Sequence, residues 1–177
     1  MGTRDRRWSG RSGQAMIEFA LITMMLVVLL FGVIDFSRAI YERQVITSLT
    51  REGSNLAARG AGNSAAESIT NAVDAVIASA NPLKINTKGR VVISAVLNSN
   101  GIFRVTAQLS KGGINVISKV RTGPGVPSTM PATNPVIPRQ NQTTYVTEVF
   151  YNFVPITPVG KLLKIILPTQ FYDVAYF

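Results

Sequence analysis

GQAMIEFALITMMLVVLLFGVID, Gly13 to Asp35, is the stretch whose reading decides the fold. Phe19 to Ile34 carries no charge, and with Ala15 to Glu18 the run reaches 20 residues. At about 1.5 Å of helical rise per residue, that matches the roughly 30 Å of a bilayer's hydrocarbon core. A cleaved secretory signal has an apolar stretch of only about 7 to 15 residues followed by a small-residue cut site. Here Asp35-Phe36-Ser37-Arg38 follows instead, so the run is read as a membrane span rather than as the buried helix of a soluble protein. Arg4, Arg6, Arg7 and Arg11 precede it against only Asp5. The positive-inside rule then places the N-terminus in the cytoplasm and the chain after about residue 36 outside it.

Composition removes whole classes of chemistry. Cys and His are both absent, which excludes disulfides, thiol nucleophiles, Ser-His and Cys-His systems and the usual zinc ligands. The net charge of +9 invites a nucleic-acid reading. Beyond the leader, however, Lys84, Arg90, Arg104, Lys111, Lys119, Arg121, Arg139, Lys161 and Lys164 are scattered singly, with no RNP-like or zinc-finger pattern, so no specific nucleic-acid partner is expected. Gly112-Gly113 and Gly123-Pro124-Gly125 lack the Gly-Lys-Ser/Thr of a phosphate loop. Outside the first helix the acid-base candidates are Glu67, Asp74, Glu148 and Asp173, and no two sit in a pairing motif. The expectation is a protein with no catalytic residues, no cofactor and no metal.

Past the span the helical period continues, with Phe36, Ile40, Val45, Leu49 and Leu56 as the expected apolar stripe. One long helix over about 15–59 follows, ended by Gly60-Ala61-Gly62-Asn63. Ser64-Ala65-Ala66-Glu67 reads as a capping box that opens a second helix through Val73, Val76 and Ile77 to a stop before Pro82. Arg90 to Leu97 and Ile102 to Leu109 are β-branched-rich runs around the turn Asn98-Ser99-Asn100-Gly101, and Gly112-Gly113 leads to a third run, Ile114 to Val120, giving an antiparallel meander. Five of the nine prolines fall in 123–138, which reads as a surface loop. Thr143 to Val154 is the most aromatic strand; its Tyr145, Phe150, Tyr151 and Phe153 are read as core rather than as a carbohydrate platform. Lys164 to Leu167 with Gln170 to Tyr176 supplies a last edge around Pro168. The fold class is α+β: a basic leader (1–13), a transmembrane segment (14–35), an extension of the same helix (36–60), and a head (61–177) with a second helix and a small antiparallel sheet.

Glu18 is the anomaly. A carboxylate within a span costs about 2.5–3.5 kcal/mol at the centre and less near an end, so it either snorkels to the interface or has a partner. Gly13-Gln14-Ala15-Met16-Ile17-Glu18-Phe19 resembles a prepilin processing site: a short basic leader ending in Gly, then Glu at the fifth position of the mature chain. Glu18-Phe19, in place of the Glu-Tyr of small Flp pilins, the run EFALITMMLVVLLFGVIDFSRAIYERQ and then TSLTREGSNLAARG resemble the TadE-like minor pseudopilins of tight-adherence (type IVb) pili. Val149-Phe150-Tyr151-Asn152-Phe153-Val154-Pro155-Ile156-Thr157-Pro158 is similar to that family's aromatic strand ending in Pro-hydrophobic-Thr-Pro.

The resemblance implies a pilin-like structural subunit that takes part in assembly or initiation of a pilus for adherence and biofilm formation. It implies cleavage between Gly13 and Gln14 by a prepilin peptidase, and a role for Glu18 and Phe19 in assembly. The Glu18 carboxylate would pair with the new ammonium of a neighbouring subunit's Gln14; its own Gln14, one turn away, is a competing partner. The implied partners are other pilin and pseudopilin subunits, the inner-membrane assembly platform, the peptidase and the lipid bilayer. The implied location is the bacterial inner membrane, with the head periplasmic or carried into an extracellular pilus. The alternative from a different class is a single-span, non-polymerising binding protein whose head recognises a ligand outside the cytoplasm.

Overall fold

A computed structural model describes residues 9–60, 64–81, 83–120, 123, 125, 127–129, 139–162 and 168–177. Most of the leader and of the proline-rich loop, residues 61–63 and Lys164 to Leu167 lie outside these described residues. The elements in chain order are α1 (Ser9–Arg59), α2 (Ala65–Ser79), α3 (Ile85–Lys88), β1 (Gly89–Ser99), β2 (Ile102–Gly112), β3 (Thr143–Asn152), α4 (Pro158–Leu162) and β4 (Gln170–Tyr176). The architecture is α+β, as expected: one long apolar helix, a second helix and a small antiparallel sheet.

The chain divides into two compact units. The first comprises residues 9–38 with 155–162, and the second 39–154 with 168–177. α1 is 51 residues long and contains no proline, so nothing interrupts its hydrogen-bond ladder. In the first unit most of its apolar residues are exposed, Phe19 being 71% and Leu26 60% accessible, while Phe31 is half-buried.

In the second unit the sheet order is β2-β1-β3-β4, with every neighbouring pair antiparallel. The β1–β2 hairpin closes through Asn100-Gly101, both at positive φ (52° and 81°), the pairing that a two-residue turn between right-twisted strands requires. The Asn98 side chain reinforces it by accepting the Gly101 N–H at 2.9 Å. α2 starts as expected, with Ser64 Oγ accepting the Glu67 N–H at 3.3 Å. On one face of the sheet Val91, Ile93, Thr147 and Val149 are buried, as are Ile69, Val73 and Val76 of α2.

Three expectations change. The buried stripe of α1 within the second unit is Ala39, Ile46, Leu49, Gly53 and Ala57; Ile40 is exposed, and so is Phe36 in the first unit, while Val45 and Leu56 are half-buried. At Gly53 a small residue is required. A Cβ on Gly53 would lie 2.9 Å from Thr147 Cγ2, so the helix can sit this close to β3 only where side chains are small. Secondly, the run Ile114 to Val120 is not a strand, and the sheet is not a simple meander, since β1 lies between β2 and β3. The alternation is real: Ser118 and Val120 are buried while Ile117 is 77% exposed. Instead of pairing in the ladder, the segment crosses the second face of the sheet, where Val120 joins Val96, Val105 and Val146 in a cluster flanked by Phe103, Val174 and Tyr176. Gly113 starts the departure by donating its N–H to Gly89 O and Ile85 O. Thirdly, the short helices α3 and α4 carry no sequence signature long enough to predict. The last edge strand, β4, and the buried positions of Tyr145, Phe150, Tyr151 and Phe153 agree with expectation.

Candidate functional site

The expected processing region lies on exposed helix. No atom comes within 4 Å of where a Cβ on Gly13 would be, beyond the helix's own backbone, and Phe19 projects outward at 71% exposure. Gln14 Nε2 donates to Glu18 Oε1 at 3.1 Å, the (i, i+4) contact anticipated from spacing. Glu18 therefore has an intrachain partner that does not require cleavage. The helix over Gly13–Arg59 is long and apolar enough to cross a membrane, and none of its most apolar window is buried against protein. A single-pass anchor fits these facts, since an unburied apolar helix of this length is costly in water.

At the far end of the apolar run stands a group that the sequence left unassigned. Asp35, the first charge after Ile34, is 1% exposed. Its Oδ1 accepts the backbone N–H of Ile156 at 3.0 Å and of Thr157 at 3.4 Å, and its Oδ2 accepts the Thr157 hydroxyl. Thr157 Oγ1 in turn accepts the Gly160 N–H at 3.0 Å. Thr157 is thus the N-cap of α4 and Pro158 its first residue, the position where a missing N–H costs nothing. Gly160 packs so closely that a Cβ there would collide with the Asp35 carboxylate and approach Pro155 Cβ to 2.6 Å. The Pro-hydrophobic-Thr-Pro string thus folds into a turn that closes over a carboxylate at the end of the span. The motif was visible in sequence; its partner, 121 residues away, was not.

In the second unit a fully buried carboxylate does comparable work. Glu148 Oε1 accepts the Lys119 N–H at 2.9 Å and the Tyr172 hydroxyl at 3.0 Å, and Oε2 accepts the Ser118 hydroxyl. Gln108 Nε2 extends the network to Ser94 Oγ at 2.8 Å and Ser118 Oγ at 3.3 Å. Lys119 Nζ sits 3.5 Å from the centre of the Tyr172 ring. Burial first, and then the charge and hydrogen bond of Glu148, push the Tyr172 hydroxyl well above the ordinary phenol range; burial and the same charge raise Tyr176. Glu148 therefore holds the 114–120 segment onto the sheet.

The remaining acid-base candidates stand apart. Asp74 pairs with Lys111 at 2.7 Å on the surface, Glu67 sits at the exposed start of α2, and Asp173 accepts the Thr50 hydroxyl at 2.8 Å. The β3–β4 register places Glu148 opposite Val174 and Asp173 opposite Val149, so these two acids face opposite sides of the sheet. Among the described residues no three His, Cys, Asp or Glu side chains gather as a metal site.

Residues 13–55 match the family model described as TadE-like protein. The resemblance read from Gly13 through the apolar helix holds over this stretch, up to Asn55 within TSLTREGSNLAARG. No curated protein and no solved structure matches the chain.

Proposed function

We propose that the protein is a minor pseudopilin that takes part in assembly or initiation of a tight-adherence pilus, anchored in the bacterial inner membrane with its head on the periplasmic side. It acts by assembly rather than by catalysis. The observation that carries this reading is the Gly13-Gln14-Ala15-Met16-Ile17-Glu18-Phe19 string at the start of an unburied, TadE-like membrane helix whose C-terminal half is built into a folded head. Removal of the leader after Gly13 by a prepilin peptidase frees the Gln14 ammonium, and a neighbour's Glu18 carboxylate neutralises it as helices pack. Within one chain the Gln14 side-chain amide already bonds Glu18, so subunit addition exchanges a neutral partner for a cationic one. The partners of this reaction are the peptidase, the other pilin subunits and the assembly platform.

The test is intact-mass measurement of membrane-extracted protein from cells holding the cognate peptidase. A chain that starts at Gln14 is expected. Retention of Met1, in cells where a major pilin is processed, refutes the pseudopilin reading.

A further inference from the structure

We propose that the turn from Pro155 to Leu162 is a second membrane contact, an interfacial anchor that lies in the lipid headgroup layer beside the exit of α1. The inference rests on the membrane-anchor part of the reading above and adds a site to it.

Three observations point to lipid as the occupant. Depth is fixed by Asp35. The apolar run from Ala15 to Ile34 spans roughly the hydrocarbon thickness, so the residue after it sits at the boundary with the headgroups. Ile156 N lies 3.0 Å from the Asp35 carboxylate and Thr157 is bonded to the same group, which ties the turn to that level. Exposure comes second. Ile156 is 60% and Phe36 57% exposed, with Pro158 also exposed, so this end of the first unit shows apolar side chains to whatever surrounds the helix exit. They belong to the same unit as the unburied apolar side chains of α1, which the membrane-anchor reading places in lipid. Charge is the third. Lys161 is exposed on the same turn, and an ammonium on an apolar interfacial element meets lipid phosphate.

The arrangement also accounts for Asp35 itself. A carboxylate at the membrane boundary is screened from the acyl chains when the Ile156 and Thr157 N–H groups and the Thr157 hydroxyl enclose it. The turn neutralises the polarity of the helix exit and brings its own apolar side chain to the interface.

The experiment places single tryptophans in the full chain, with the native Trp8 changed to Phe, reconstituted in phosphatidylglycerol/phosphatidylcholine vesicles. Lipids labelled near the headgroup or deep in the acyl chain serve as quenchers. Leu26→Trp should be quenched by the deep label, Ile156→Trp by the shallow label with blue-shifted emission, and Thr70→Trp on α2 by neither. Quenching at 26 with water-like, unquenched emission at 156 overturns the inference while leaving the membrane anchor intact. Blue-shifted but unquenched emission at 156 also overturns it, since protein rather than lipid then covers the site. Loss of quenching at 26 defeats the anchor reading and this inference with it. Lys161→Glu should weaken shallow quenching at 156 more in phosphatidylglycerol than in phosphatidylcholine vesicles; equal quenching in both removes the lysine–phosphate contact.

Discussion

Replacing Glu148 with Ala tests whether the buried carboxylate holds the 114–120 segment on the sheet. Three donors lose their acceptor: the Lys119 N–H, the Ser118 hydroxyl and the Tyr172 hydroxyl. Hydrogen bonds to a charged group contribute about 1.5–3 kcal/mol each, and part of that is returned because the variant no longer buries a charge. The net loss should be about 3 kcal/mol. At roughly 2–4 °C per kcal/mol for a chain of this length, the unfolding midpoint falls by about 10 °C. Glu148→Gln keeps the volume and one acceptor oxygen for the Lys119 N–H and the Tyr172 hydroxyl, so the loss should be smaller, about 1–2 kcal/mol. The assay is thermal unfolding of the full chain in detergent, followed by circular dichroism, with trypsin cleavage after Lys119 as a local readout. Cleavage should accelerate in the order wild type, Gln, Ala. An Ala variant within about 0.5 kcal/mol of wild type, with unchanged cleavage after Lys119, refutes the reasoning: the segment is then held by Val120 packing alone.

Glu18→Ala and Glu18→Gln should both leave membrane-bound protein at wild-type amounts while lowering its cross-linking to pilin subunits; wild-type cross-linking in both variants reduces Glu18 to a residue that snorkels. Gly160→Ala should open the turn over Asp35, because the added Cβ meets Pro155 and the carboxylate, and faster proteolysis around Lys161 reports it. Tyr172 and Tyr176 have their hydroxyls raised on folding, so the folded state binds more protons above the ordinary phenol value of about 10 and stability falls as pH rises past it. Absorbance titration should show their phenolates appearing only as the head unfolds, and a smooth, fully reversible titration of all five tyrosines near that value contradicts the buried network. Any DNA binding should be weak and lost steeply with added salt; a sequence-selective complex at physiological ionic strength contradicts the structural reading.

The sequence by itself determined what depends on neighbours along the chain. The charge-free run to Ile34 specifies a spanning helix because length and apolarity suffice, and the absence of proline carries that helix on to Arg59. Ser64 and Glu67 start α2, and Asn100-Gly101 closes the hairpin, since capping and turn formation are contacts over two or three residues. The resemblance to TadE-like proteins was carried in the same way by contiguous residues. What only the tertiary structure decided is which side chains meet across long separations. The buried stripe of α1 mixes Ile46 and Leu49 with the small Ala39, Gly53 and Ala57, and at Gly53 Thr147 approaches too closely for anything larger. Ile114 to Val120 alternates like a strand, yet it lies across the sheet because its hydrogen-bond acceptor is a side chain of β3 rather than a strand edge. Asp35 and Thr157, unremarkable as single residues, become one site when the chain returns to the end of the span. A buried carboxylate must find donors, and nothing in local sequence says from where they come.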